Sequence, residues 1–197
     1  MSKNNNKYQI KVPEKCANCD KASECEFLKS LLNKPFDANS VLLGCKAFYS
    51  VFCELEKKCR APFDGSKKKE QYNTVVDAGT FPFLTPAMIT NGVLAVELAI
   101  KALTLKDTGT FDCIHSIDKL YYSLPSNHKT ALTDLIKEKS HQNNETLKLN
   151  LETISNFFIE WRYFFESESI GYSDFLLEFI HIVCDYAINV IGNTISV

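Results

Sequence analysis

The chain has 197 residues, of which 45% are hydrophobic and 12% aromatic, and its formal net charge is −2. This length fits one domain with a substantial core, and the charge excludes a general electrostatic attraction to nucleic acid, so any RNA contact would need a local patch. The 7 glycines and 6 prolines are few, which disfavours an all-β sandwich with many tight turns.

The amino-terminal segment carries no targeting pattern. Residues 1–7 are polar and Asn-rich and lack the apolar core of a signal peptide or membrane anchor. Later apolar runs are interrupted by charges every few residues, which argues against a membrane span. We therefore expect a cytoplasmic protein without membrane contact, in which the 8 cysteines are reduced thiols.

Three early cysteines form a candidate metal site. Cys16 and Cys19 have the C-x2-C spacing that presents two thiolates to one zinc ion, and Cys25 would add a third ligand from a short helix. The fourth ligand would be a histidine or one of three later cysteines, Cys45, Cys53 or Cys59. The alternative is that several of these cysteines are small buried hydrophobic residues. This alternative is favoured for Cys45 and Cys53, which lie in an apolar helical run.

Two long helices are predicted on either side of an irregular connection. Residues 38–59 place apolar side chains at helical spacing, while residues 63–86 lose that pattern and include a lysine run typical of a solvated loop. Thr85 and Pro86 predict the cap and first turn of the next helix. We expect a Cys-containing helical region over residues 1–80 and a helical bundle over residues 81–197.

The second half continues as helices separated by polar breaks. A helix containing His115 is expected before Pro125, and Ser126 is expected to cap a more polar helix that ends near residue 140. A long helix over residues 144–169 and a last helix over residues 173–191 follow. The pattern predicts an all-α bundle of about six or seven helices.

The long predicted helix carries one of the chain's two arginines in its most aromatic stretch. Arg162 follows Phe158 by four residues and precedes Glu166 by four. A half-buried guanidinium can stack on rings and pair with Glu166, which is a structural role. The same geometry offers N–H donors to a phosphate or to a partner's carboxylate. The residues alone favour the structural role.

Polar pairs and histidines give weaker candidates. Glu97 and Lys101 form an i,i+4 pair worth a few tenths of a kcal/mol. His115 is expected to bond a helix end or a carboxylate, whereas His181 lies off the apolar face of its helix, which favours an exposed side chain over a metal ligand. The chain has no G-x-G-x-x-G, P-loop or G-x-S-x-G motif, which argues against nucleotide hydrolysis and dehydrogenase chemistry.

Three stretches, taken together, resemble HEPN-like domains. Residues 87–103 contain the E-L-x-x-K-A-L pattern found in the first core helix of that family. Residues 115–120 are similar to the H-x-L segment that often opens its second helix. Residues 157–166 are similar to its F-x-x-x-R-Y-x-x-E segment. The resemblance covers about residues 85–192.

The resemblance implies an up-and-down helical bundle that forms a homodimer in a prokaryotic toxin–antitoxin, CRISPR-linked or abortive-infection defence system. Many members are metal-independent ribonucleases with an R-x4-6-H signature, whose histidine moves a proton while the arginine stabilises phosphate charge. Here Ser167, Glu168 and Ser169 stand at that spacing after Arg162, and Arg60 also lacks its histidine.

Two functions are therefore compared. In the first, a dimer cleft acts on RNA, with Arg162 as phosphate binder, Tyr163 and Glu166 as binding residues and His115 as a non-local acid–base group. A non-catalytic version would bind RNA, an antitoxin or a phage component in the same groove, and the missing histidine favours this version. In the second, the chain is a zinc-stapled helical adaptor without enzymatic activity.

Overall fold

The computed structural model describes residues 37–60, 81–155, 157, 161 and 174–192. Six helices account for most of them: α1 (Ala38–Arg60), α2 (Phe81–Thr108), α3 (Ile117–Ser123), α4 (Ser126–Ser140), α5 (Asn144–Ile154) and α6 (Asp174–Gly192). This described part of the chain contains no β-strand. The prediction of an all-α protein is confirmed for these residues.

Helices α1 and α2 pack against each other along much of their length. Gly44 faces Leu98 near the start of α1, and Phe52 faces Gly92 further along it. Because the sequence number rises in α1 as it falls in α2, the two helices run antiparallel. Helix α1 lies within the predicted region of residues 1–80, and its buried side chains share one core with those of α2 and α6.

Helix α6 completes the central group of three. Gly92 faces Ile180, and Lys106 Nζ donates to the Val190 carbonyl oxygen at 2.8 Å, so α2 and α6 run in the same direction. Helix α4 packs on α6, while α3 packs on α2 and α5. The core therefore lies among α1, α2 and α6, with the three shorter helices around it.

The start of α2 corrects one prediction. The helix begins at Phe81, so Pro86 lies inside it and Thr85 is not its cap. Thr85 is buried instead, and its side chain hydrogen-bonds the Cys59 thiol of α1. The Thr85 hydroxyl, which the sequence predicted as the cap of α2, therefore makes a contact with α1 instead.

The segment after α2 is less helical than predicted. Gly109 has a φ of 74°, a left-handed conformation that suits glycine and follows the end of the helix. His115 then lies in the non-helical link that precedes α3, not within a helix. Ser126 is the first residue of α4 and makes no capping bond, because Pro125 occupies the cap position.

The predicted helix over residues 144–169 is not continuous. Asn143 and Thr146 form a capping box at the start of α5, but the helix ends at Ile154. The Ser155 carbonyl oxygen accepts the Ile117 N–H at 3.0 Å, and the Ser155 hydroxyl bonds Asp118. Local apolar spacing could not reveal this break, because α3 supplies the competing hydrogen-bond partners.

Two helices in the described part of the chain are long and apolar enough, by length and composition, to cross a membrane. They are Leu84–Thr108 of α2 and Asp174–Gly192 of α6, and 72% and 56% of their apolar windows are buried inside the bundle. The core helices of a soluble protein have the same properties, since a helix that is apolar on most sides must be buried somewhere. The absence of membrane contact remains a prediction.

We predict that Gly92→Ala destabilises the bundle. A Cβ at this position would lie 2.6 Å from Ile180 Cδ1 and 2.7 Å from Phe52 Cδ2. Overpacking of this kind costs about 1–3 kcal/mol, against a helix-propensity gain of at most about 1 kcal/mol. Urea unfolding measures the net change in the free energy of unfolding.

Gly44→Ala is the matched control, since its Cβ would meet one atom, Leu98 Cδ1, at 3.3 Å. We expect this variant to stay within about 1 kcal/mol of the wild type. Equal stability changes for the two variants would contradict the assigned close approach at Gly92.

Candidate functional site

The structure describes one residue of the predicted site, His115. The other predicted site residues lie outside the described residues: Arg162, Tyr163, Glu166, Cys16, Cys19 and Cys25. The geometry around His115 is therefore the starting point for a functional interpretation.

Glu97 and Lys101 form a buried ion pair in the middle of α2. Lys101 Nζ lies 2.6 Å from Glu97 Oε1, and the two side chains are 8% and 3% exposed. Lys101 Nζ also lies 5.6 Å from the centroid of the Phe111 ring, which attracts a cation. The predicted contribution of a few tenths of a kcal/mol belongs to exposed pairs and does not apply here, because either charge would be costly to bury without its partner.

His115 extends this pair toward the surface. Its Nδ1 lies 3.1 Å from Glu97 Oε1 and 3.0 Å from Oε2, while its side chain is 56% exposed. Of the two partners expected for His115, a helix end or a carboxylate, the structure shows the carboxylate. The contact joins two of the stretches on which the family resemblance rests, 18 residues apart in the chain. We call Glu97, Lys101 and His115 the His115 cluster.

A second set of hydrogen bonds fixes the link that carries His115. The Ser116 and Ser155 hydroxyls both donate to Asp118 Oδ1, and their oxygens lie 2.9 Å apart. Partial burial by itself would raise the pKa of Asp118, but the hydrogen bonds from Ser116 and Ser155 outweigh that effect and hold the pKa below its usual range. This ionised carboxylate connects the start of α3, which follows His115 closely in the chain, to the end of α5.

His181 occupies a polar bridge between α1 and α6. Its Nδ1 lies 2.7 Å from the Tyr49 hydroxyl and its Nε2 lies 2.8 Å from Glu56 Oε2, while Tyr49 donates to Asp185 at 3.0 Å. Burial and the bond to Asp185 raise the pKa of Tyr49 far above its usual range, so the phenol keeps its proton. The prediction of an exposed His181 holds only in part: 36% of its side chain is exposed, because α1 supplies partners that the helical phase of α6 cannot reveal.

His128 is a buried histidine that sequence reasoning missed. Its Nδ1 lies 2.9 Å from the Tyr186 hydroxyl, and its side chain is 5% exposed. Nε2 lies 3.1 Å from Asp107 Oδ2, near enough for electrostatic attraction but not aligned as a hydrogen bond. The residues beside His128 in the sequence are polar, so only the packing of α4 against α6 shows that the ring is buried.

The described cysteines give no metal centre by themselves. No group of three or more His, Cys, Asp or Glu side chains in residues 37–60, 81–155 and 174–192 is placed to hold a metal ion. Cys45 is fully buried, which confirms its interpretation as a buried hydrophobic residue. It is a free thiol that hydrogen-bonds the free thiol of Cys184. Cys59 is also buried, and Cys53 is partly exposed. Burial raises the pKa of both thiols.

Comparisons with protein-family models, with curated proteins and with solved structures found no match to the chain. The functional interpretation therefore depends on the chemistry of the side chains. Among the described residues, the His115 cluster combines a titratable ring at the surface with a buried ion pair that fixes its position.

Asp118 gives a pH-dependent prediction. Its pKa is lowered in the folded protein, so its stabilising effect is present above the unfolded pKa of about 4 and is lost as the pH falls through the lower folded value. We expect Asp118→Asn to cost about 1 kcal/mol at pH 7, because solvent screens a partly exposed carboxylate. The cost should shrink in acid, as measured by urea unfolding at several pH values.

Asp112→Asn is the control for this experiment, since Asp112 is an exposed carboxylate in the same link. A cost for Asp118→Asn that stays constant from neutral to acidic pH would contradict the assigned role of its charge. An equal cost for Asp112→Asn would also contradict it.

The zinc prediction has a separate test. If Cys16, Cys19 and Cys25 hold a structural ion, elemental analysis of the purified protein should find stoichiometric zinc. The Cys16→Ser, Cys19→Ser double variant should lose that zinc, because two thiolate ligands are removed. Cys113→Ser, which removes a thiol outside the predicted ligand set, is the control. Protein purified without zinc, or a double variant that keeps it, would contradict the prediction.

Proposed function

We propose that this protein is a HEPN-like component of a prokaryotic antiviral-defence system, that it works in the cytoplasm as a homodimer, and that it acts on RNA through His115. The observation that carries the proposal is the contact between His115 and the buried Glu97. This contact brings together the E-L-x-x-K-A-L stretch of α2 and the stretch that opens at His115, in agreement with the resemblance of both to one family.

His115 has the features of an acid–base group. Imidazole exchanges protons near neutral pH, and RNA cleavage requires a group that takes a proton from the attacking hydroxyl or gives one to the leaving oxygen. The His115 ring is 56% exposed and therefore within reach of a bound strand. Glu97 holds the ring, and the serine–aspartate bonds hold the link that carries it, so the ring is positioned in advance.

The phosphate-binding group in this proposal is Arg162. The residue follows Trp161, which is helical and 5% exposed. A guanidinium can bind a phosphate with two parallel hydrogen bonds, which suits RNA better than a single ammonium donor. Because Ser167, Glu168 and Ser169 occupy the positions of the usual histidine, the proposal assigns proton transfer to His115 from a different part of the chain.

The non-catalytic version of the same function keeps the groove and omits the chemistry. The protein would then bind RNA, an antitoxin or a phage component, and His115 and Arg162 would be contact residues. The missing R-x4-6-H histidine supports this version, and the positioned imidazole supports the catalytic one.

RNA binding and cleavage assays on the wild type, His115→Ala and Arg162→Ala test the proposal. We expect His115→Ala to lower the cleavage rate by about 10²–10⁴-fold, the usual contribution of an acid–base group, with RNA binding largely kept. We expect Arg162→Ala to weaken both binding and cleavage, because it removes a phosphate contact. Light scattering should show a dimer at the assay concentration.

His141→Asn is the matched control. His141 is exposed and has a φ of 51°, a left-handed conformation that asparagine adopts readily, so this variant removes an imidazole without straining the backbone. It should bind and cleave RNA as the wild type does. RNA binding without cleavage would overturn the catalytic version, and a wild type that does not bind RNA would overturn the RNA proposal.

A further inference from the structure

Helix α1 carries a row of exposed apolar side chains. Leu43 is 69% exposed and Val51 is 44% exposed, and they are two of the four large hydrophobic side chains exposed in the described part of the chain. Ala47, which is also exposed, lies midway between them in the sequence. Side chains four residues apart share one face of a helix, so the three form a continuous row along α1. We call them the α1 row.

The opposite side of α1 packs against the bundle. Phe52 faces Gly92 of α2, and the Tyr49 hydroxyl lies 2.7 Å from His181 Nδ1 of α6. These two contacts belong to the buried side of the helix, whereas the exposure of the α1 row shows that neither α2 nor α6 covers it. Contact with a partner would remove this apolar surface from water.

The charges along α1 indicate which partner fits the row. The exposed Asp37 accepts the Ser40 N–H at the start of the helix, and the exposed Lys57 and Lys58 lie near its end. Lys57 pairs with Glu54 at 2.7 Å, so Lys58 is the better placed of the two cations for another carboxylate. Two copies of α1 side by side would oppose like charges in a parallel pair and opposite charges in an antiparallel pair.

We infer that the exposed face of α1 is the homodimer interface, on which the α1 row of a second copy packs in antiparallel orientation. A two-fold axis through Ala47 places Leu43 of each copy level with Val51 of the other, because both lie four residues from the axis. The small side chain on the axis allows the two helices to approach closely.

The same axis brings opposite charges together at both ends of the interface. Asp37 lies as many residues before Ala47 as Lys57 lies after it, so the carboxylate of one copy is level with the Lys57–Lys58 end of the other. Ion pairs at the rim of an interface contribute little affinity, but they favour one orientation over the other.

The homodimer itself is taken from the proposed function, whereas its location on α1 rests on the α1 row and on these charges. Helix α1 lies outside residues 85–192, which the family resemblance covers, so the resemblance does not imply this interface. The interface also makes no use of the His115 cluster. The RNA assays and the dimer assays are therefore independent.

Light scattering and sedimentation of Leu43→Asp and Val51→Asp test the interface. We expect each variant to raise the dissociation constant of the dimer at least about 10-fold, because a carboxylate buried without a partner is costly. Leu149→Asp is the matched control, since Leu149 is 62% exposed on α5, outside the α1 row. It should dimerise as the wild type does. All three positions are exposed, so circular dichroism should show folded proteins.

Single cysteines test the orientation. Ala47→Cys places a thiol on the two-fold axis and should form a disulfide between two copies under mild oxidation. Leu43→Cys alone should not, because its two Cα atoms would lie about 12 Å apart along the helices, beyond the roughly 7 Å that a disulfide spans. A mixture of Leu43→Cys and Val51→Cys should form the mixed disulfide. The wild type measures the background from the native thiols.

A dimer that persists unchanged in both Asp variants would overturn the interface and leave the homodimer of the proposed function standing. Linkage of Leu43→Cys to itself, without the mixed disulfide, would overturn the antiparallel orientation. A wild type that is monomeric at every concentration would overturn the interface and the homodimer together. A dimer that contains this interface and does not bind RNA would contradict the proposed action on RNA alone.

Discussion

The close approach of α1, α2 and α6 at Gly92 is the constraint on which the rest of the structure depends. The side chains of Phe52 and Ile180 occupy the space that a Cβ on Gly92 would need, so the three helices meet with almost no side chain between them on the α2 side. Interiors packed to this density do not absorb even one added methyl group without a shift. The register of the three helices at this point determines which polar groups meet elsewhere along them.

Each of the polar clusters in the bundle joins elements that are distant in the sequence. His181 connects α6 to Glu56 and Tyr49 of α1, and His128 of α4 contacts Tyr186 of α6. Buried polar groups are costly unless they are hydrogen-bonded, so these contacts favour one register of the helices over others that would leave them unpaired. Apolar packing supplies most of the stability, and the polar contacts select one arrangement.

The His115 cluster differs from the contacts of His181 and His128 in its position relative to solvent. Its ion pair is buried in α2, while its histidine ring is more than half exposed on the link before α3. An ion pair held in the core is a rigid support for a surface ring, because neither of its side chains can turn toward water without separating the charges. This combination of a rigid support and an accessible titratable group is the reason for assigning chemistry to His115 rather than to His128 or His181.

Local sequence patterns determined the all-α class and most helix positions. The apolar spacing of residues 38–59 and 173–191 predicted α1 and α6 to within one or two residues, because the period of buried side chains is a property of each helix by itself. A carboxylate was one of the two partners expected for His115, the other being a helix end. The residues of the proposed RNA site and of the zinc ligand set were also named from the sequence, and they remain predictions.

Tertiary structure decided the features that depend on a partner from another helix. Ser155 interrupts the predicted long helix because Ile117 and Asp118 of α3 compete for its hydrogen bonds, and no residue near Ser155 in the sequence reveals this competition. Glu97 and Lys101 have the spacing of an ordinary surface pair, and the packing of α2 in the core turned them into a buried one. Spacing along one helix records which residues share a face, whereas burial and hydrogen-bond partners depend on which helices cover that face.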